Sequence, residues 1–142
     1  MSELGGTGEA APASELEAAN TAFYDAFEAM SLDRMEGVWA TDADAYCVHP
    51  GGEILRGWPR VRRAWAAVFA STSYIQFIVT NVEAAEHGDV GVVSCVENVL
   101  AGEGADHLHG GTAVATNVFV RRDGRWRMLA HHASPMLRVE GA

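Results

Sequence analysis

At 142 residues, with 49% hydrophobic and 20% charged positions, the chain has the size and composition of one globular domain with a substantial core. A formal net charge of −9 excludes the basic face that nucleic acid or an anionic membrane surface requires, so neither is expected as a partner. All 10 basic residues are arginines, which removes Schiff-base chemistry and a lysine general base.

Residues 1–13 are rich in Gly, Ala and Glu and read as a flexible leader. Ser14-Glu15-Leu16-Glu17 is a capping-box pattern, and Leu16, Ala19, Phe23, Phe27 and Met30 follow helical spacing, which predicts a helix over 14–30. Ser31 can cap a second, shorter helix with Leu32, Met35, Val38 and Trp39 on its apolar face. A polar turn at 41–44 leads to a brief strand at 45–48, and Pro50-Gly51-Gly52 breaks regular structure. Gly57-Trp58-Pro59 opens a third helix, with Val61, Trp65, Val68 and Phe69 as its buried stripe and Arg60, Arg62 and Arg63 toward solvent.

The second half changes character. Runs at about 74–86, 89–101, 112–122 and 125–136 are rich in Val, Ile, Thr and aromatics. They are divided by His87-Gly88-Asp89, a Gly-rich stretch at 102–111 read as a loop, and the tight-hairpin pair Asp123-Gly124. Three helices followed by antiparallel strands predict an α+β fold, with the helices on one face of a curved sheet, over residues 14–136, and with 137–142 as a tail. The strands are apolar on both parities: Val90 and Val92 on one, Val93, Cys95 and Val99 on the other. Helices can cover only one face, so a homodimer through the outer face is expected.

Four polar residues interrupt these apolar strands. Glu97 shares a face with Val93, Cys95 and Val99, and Asn117 with Ala113, Ala115 and Phe119. By strict alternation His131 is in phase with Leu129 and Ala133, and His132 with Trp126 and Met128, so the two adjacent imidazoles face opposite sides. Which of them faces inward stays open. A carboxyl buried in such a stripe must be paired or protonated, and beside an imidazole it makes an acid–base pair. The alternative is that Glu97 anchors a histidine or an arginine from a neighbouring strand or subunit. Glu97, His49 and His132 are the catalytic candidates. Tyr24, Trp39, Tyr46, Trp58, Trp65, Asn117 and His131 are candidates to bind a small apolar ligand, although the aromatic ones also suit a core.

Asp106-His107-Leu108-His109 contains a His-x-His pair, but it lies in the Gly-rich stretch and reads as a solvated hairpin loop. No other metal spacing, dinucleotide-binding fingerprint, phosphate loop or nucleophile elbow occurs, so no metal and no cofactor is expected. Cys47 and Cys95 have no disulfide-framework spacing and read as buried free thiols. With no signal peptide or membrane span, a cytoplasmic location is expected.

Several of these segments, in this order, carry a resemblance. They are Phe23-Tyr24-Asp25-Ala26-Phe27-Glu28 with Met35 and Trp39, Val48-His49-Pro50-Gly51, and Leu55-Arg56-Gly57-Trp58 with Trp65. Ala115-Thr116-Asn117-Val118-Phe119, Trp126-Arg127-Met128-Leu129 and His131-His132-Ala133-Ser134-Pro135 complete the set. Over residues 15–136 the chain resembles the nuclear-transport-factor-2-like superfamily, and within it the SnoaL-like (polyketide-cyclase-like) small domains. That resemblance implies a cone-shaped curved antiparallel sheet with three N-terminal helices packed on its concave face and an apolar pocket between them. It also implies dimers formed through the outer sheet face. Relatives include ketosteroid isomerase, limonene-epoxide hydrolase, scytalone dehydratase and polyketide cyclases, and also association domains that only assemble. Tyr24 resembles the first-helix tyrosine of ketosteroid isomerase, and His49 and His132 match the dehydratase's histidines in residue type. The isomerase's two aspartates and the hydrolase's Asp-Arg-Asp arrangement have no match. The resemblance therefore implies a cofactor-independent isomerase, cyclase or dehydratase acting on an apolar carbonyl compound, or else a non-catalytic ligand-binding or dimerisation domain.

Overall fold

The capping box forms as the sequence predicts, and a helix follows from it. In the computed structural model, which describes residues 14–103 and 107–137, the Ser14 side chain accepts from the Glu17 backbone N–H, and the Glu17 carboxylate accepts from the Ser14 N–H. Helix α1 (Glu15–Ala29) runs from this cap to Met30, whose left-handed backbone ends it. Ser31 then caps α2 (Leu32–Val38). Strands β1 (Tyr46–Val48) and β2 (Leu55–Arg56) form a short antiparallel pair, and α3 (Trp58–Ser71) follows with Pro59 in its first turn. The long strands are β3 (Tyr74–His87), β4 (Val90–Gly102), β5 (Leu108–Arg122) and β6 (Arg125–Pro135). Asp123 and Gly124 both adopt positive φ in the two-residue turn joining β5 to β6, as that hairpin type demands.

The strands make one curved six-stranded sheet in the order β2-β1-β6-β5-β4-β3. The four long strands pair antiparallel, but β1 lies parallel to β6, with Cys47 opposite His131 and Val48 opposite His132. The sheet is therefore mixed, not wholly antiparallel. The Gly-rich stretch read as a loop also contributes more than connection: β5 begins at Leu108, so His109, Gly110 and Gly111 are strand residues paired with Ala101, Leu100 and Val99.

One irregularity decides which histidine faces inward. In the β5–β6 ladder Val118 pairs with Ala130 but Phe119 pairs with Met128, which leaves Leu129 as an extra residue, a β-bulge. The bulge shifts the alternation by one. Trp126 and Met128 before it, and His131 and Ala133 after it, are all buried on the helix face, while His132 is exposed on the other. Strict alternation grouped His132 with Met128; the bulge breaks that phase.

The core lies between the helices and this inner face. Phe23, Phe27 and Trp65 pack edge to face, with Phe23–Trp65 and Phe27–Trp65 centroids 5.7 and 4.7 Å apart, and Phe77 closes on Phe27 at 4.5 Å. Cys47 and Cys95 are free and buried. Among the described residues no helix is long and apolar enough to cross a membrane.

Candidate functional site

Five buried polar side chains from four separate elements converge beneath the aromatic core. Asn20 and Tyr24 stand one turn apart on the buried face of α1, Glu97 is on β4, Asn117 on β5 and His131 on β6. None of the five is more than 4% exposed. The Tyr24 hydroxyl donates to Glu97 Oε2 at 2.6 Å and lies 3.4 Å from Cys95 Sγ. Asn117 Nδ2 donates to Asn20 Oδ1 at 2.8 Å and to the Tyr24 hydroxyl at 3.2 Å. His131 Nδ1 lies 2.6 Å from Asn117 Oδ1, an oxygen that can only accept, so the imidazole carries its proton on Nδ1. Its Nε2 lone pair is then directed to the Glu97 side, 3.9 Å from Oε2.

Burial sets the charge states. It pushes the Glu97 carboxyl above its usual range, while the Tyr24 hydrogen bond pulls the other way. Burial, helped by His49 and His132, lowers His131 to about 3, so the ring is neutral at pH 7. The 3.9 Å approach of Glu97 and His131 is therefore not an ion pair. Burial, reinforced by the Glu97 charge, also raises the Tyr24 hydroxyl and the Cys47 thiol, which keeps both protonated. Neither is an activated nucleophile.

Glu97 also opens outward. An apolar cleft of about 430 Å³ is walled by Val99 and Ala101 of β4, Gly111 and Ala113 of β5, and Pro50 and Pro135, with Glu97 at its inner end. Burial falls along it from Glu97 to the exposed His109. His49 sits beside this wall, half-buried, its Nε2 3.5 Å from Cys47 Sγ and its ring edge to face with Trp65 at 4.8 Å. Burial lowers its pKa too.

The candidates thus divide. Tyr24, Glu97, Asn117 and His131 form the network, and His49 and Trp65 border it. His132 lies on the outer face, paired opposite Thr116, and takes no part. Trp39 and Trp58 pack against each other, 6.0 Å apart, and Trp39 bridges to Met128. They are remote from Glu97's cleft, and Trp39 instead lines a surface hollow with Asp42 and Arg122. Tyr46, by alternation with the buried Cys47, turns to the outer face. Two participants were not assigned to the site from the sequence. Asn20 carried a usable signal, four residues before Tyr24 on one helical face, whereas His109 was weighed only as half of a His-x-His pair in a stretch read as a loop. Of the Asp106–His109 segment, Asp106 lies outside the described residues, and no group of three metal-ligating side chains occurs among those described.

A mixed sheet with three helices on one face, enclosing a buried polar network, is the architecture of a known family. Residues 16–138 match the SnoaL-like domain, and the chain belongs to that family of small-molecule-binding domains. It is 41% identical to a proposed dehydratase of the nuclear-transport-factor-2-like family from Streptomyces avermitilis, covering 87% of this chain and 95% of that one with a TM-score of 0.82. It is 36% identical to a proposed calcium/calmodulin-dependent protein kinase type II association domain from Thiobacillus denitrificans, over 85% of this chain and 94% of that one, with a TM-score of 0.76. It is also 29% identical over 118 residues to the F-box protein SKIP8 of Arabidopsis thaliana, covering 83% of this chain and 48% of that protein. The chain thus spans about half the length of this curated relative.

Proposed function

We propose that the chain is a cofactor-independent acid–base enzyme that isomerises, cyclises or dehydrates a small apolar carbonyl compound, with Glu97 as the group that exchanges the proton. The observation that carries this reading is a buried carboxyl, pushed above its usual range, at the inner end of an apolar cleft. A raised carboxyl exchanges protons nearer neutral pH, where general catalysis is most effective. In the base direction the Glu97 carboxylate takes a proton from carbon alpha to the carbonyl: the C–H bond breaks, an O–H bond forms, and the electron pair moves to the carbonyl oxygen. His49, adjacent to the cleft-lining Pro50, supplies an N–H to that oxygen. The same Glu97 proton then returns to a different carbon, or to a leaving hydroxyl as water departs. Tyr24 orients the carboxyl through its hydrogen bond to Oε2, and the neutral His131 ring stands behind it. The likeness to a proposed dehydratase supports this class of reaction.

The test is a panel of β-hydroxyketones and β,γ-unsaturated ketones, followed by the absorbance of the conjugated enone. Glu97→Gln keeps the shape and the Tyr24 hydrogen bond, and is expected to lower kcat/KM by about 10²- to 10⁴-fold without loss of folding. Turnover undiminished in that variant removes Glu97 from the mechanism.

The likeness to a proposed association domain favours a second reading, a non-catalytic binding or assembly domain. Under it no member of the panel turns over, and Glu97→Gln leaves ligand affinity unchanged. In either case the occupant of the outer sheet face is proposed to be a second copy of this chain. Across the middle of strands β4–β6 the outward positions are mostly Val, Thr and Ser, with His132 among them, while the outward arginines Arg122, Arg125 and Arg127 gather at the β5–β6 hairpin end. A face whose middle carries no fixed charge is compatible with itself across a two-fold axis, even in a chain of net charge −9.

A further inference from the structure

We infer that the cleft takes a flat, uncharged molecule with an oxygen function at each end, one held at Glu97 and the other by His109. The inference rests on the proposal that the Glu97 cleft is the ligand site, and it adds length, charge and a second anchor. The cleft follows two neighbouring strands. Glu97 pairs with Ala113, Val99 with Gly111, and Ala101 with His109, so the carboxyl and the imidazole stand four residues apart along the ladder. At about 3.3 Å per residue this spacing is about 13 Å, the scale of two linked six-membered rings with an oxygen at each end. Between these anchors the inward positions are Val99, Ala101, Gly111 and Ala113, which cannot hydrogen-bond through their side chains; Thr112 also borders the cleft but has the parity of the outer face. Among the described residues the cleft lining includes no Arg or Lys, and the inner anchor is itself a carboxyl, which disfavours an anionic end there.

Gly111 sets the width. It shares the inward parity of Ala113 and Asn117, its φ is not in the left-handed region, and a Cβ built there meets no atom within 4 Å. A side chain at this position would occupy cleft volume without a backbone clash.

The test reads binding, by tryptophan fluorescence titration, with three probes of one shape: para,para′-biphenol, para-phenylphenol and para-phenylbenzoate. The intact chain is expected to prefer the biphenol, and His109→Ala is expected to weaken it by about tenfold while leaving the singly hydroxylated probe unchanged, the effect of one hydrogen bond. Gly111→Leu is expected to abolish binding of both phenols, and Gly111→Ala to retain it. Equal affinity for the two phenols, tight binding of the benzoate, biphenol binding insensitive to His109→Ala, or no binding of the biphenol overturns the inference. Normal probe binding by Gly111→Leu overturns it as well. Because affinity is measured instead of turnover, an inert Glu97 defeats the catalytic reading while leaving these outcomes intact.

Discussion

Tyr24 is the junction of the buried network, since its hydroxyl donates to Glu97 and accepts from Asn117. Tyr24→Phe leaves both partners short of a hydrogen bond and is expected to cost about 2 kcal/mol in urea unfolding. It also removes the one interaction that holds Glu97 down, so the acidic limb of the kcat/KM profile moves to higher pH. His131 governs a different pH range. Its folded pKa of about 3 lies below the ordinary 6.5, so the unfolded chain binds a proton that the folded chain excludes. Stability therefore falls as pH drops below 6.5. Between pH 7 and pH 5 the loss attributable to this residue is about 2 kcal/mol. Glu97, whose pKa is raised, contributes in the opposite sense, so the informative quantity is the difference between the parent and His131→Gln. Urea titrations at the two pH values should show that difference narrowing at pH 5; a constant gap would mean that the ring is charged in the folded protein.

At the scale of elements, α1 is docked by a close approach that only glycine permits. A Cβ on Gly91 of β4 would come within 2.7 Å of the fully buried Leu16 side chain. Gly91→Ala is expected to lose about 1–3 kcal/mol, seen as a lower Tm, because the added methyl forces the fully buried Leu16 side chain to shift within the core. Much of this layer was legible in the sequence because its signals are local: the capping box at Ser14, the Ser31 cap, the Trp58-Pro59 helix start and the Asp123-Gly124 hairpin. The bulge at Leu129 was not. An extra residue in a strand leaves no compositional mark, since Leu is as good a strand residue as those beside it. Counting parity through it grouped His132 with Trp126 and Met128 and left open which imidazole faces the core. The site was legible in part because Glu97 and Asn117 lie on β4 and β5, whose shared ladder runs without a register shift, and so kept their phase. His109, a strand residue among glycines, looked like part of a turn.

At the scale of the whole molecule, the outer face of β4–β6 makes a sharp prediction. Val114 stands near its centre, 41% exposed, opposite Val96 on β4 and Ser134 on β6. If a second copy covers it, Val114→Arg buries a charge against its own symmetry mate. The variant should sediment as a monomer where the parent sediments as a dimer, with the fold retained. A parent that is monomeric, or a variant that stays dimeric, removes this face as the interface.

The parallel pairing of β1 with β6 has a consequence in time as well as in space. Cys47 pairs nearby with Leu55 of β2, but its partner within the main sheet is His131, and Val48 pairs with His132. During synthesis the first helices and β1 must therefore wait through most of the chain before the sheet can close over them. Long-range closure of this kind is slow, and the aromatic surface of α1 and α3 stays without its cover until the final strand arrives. The imidazole that completes the buried network is delivered by that same strand. The site thus cannot be complete before β6 has docked, and a nascent chain that stalls short of β6 has neither a finished core nor a complete network.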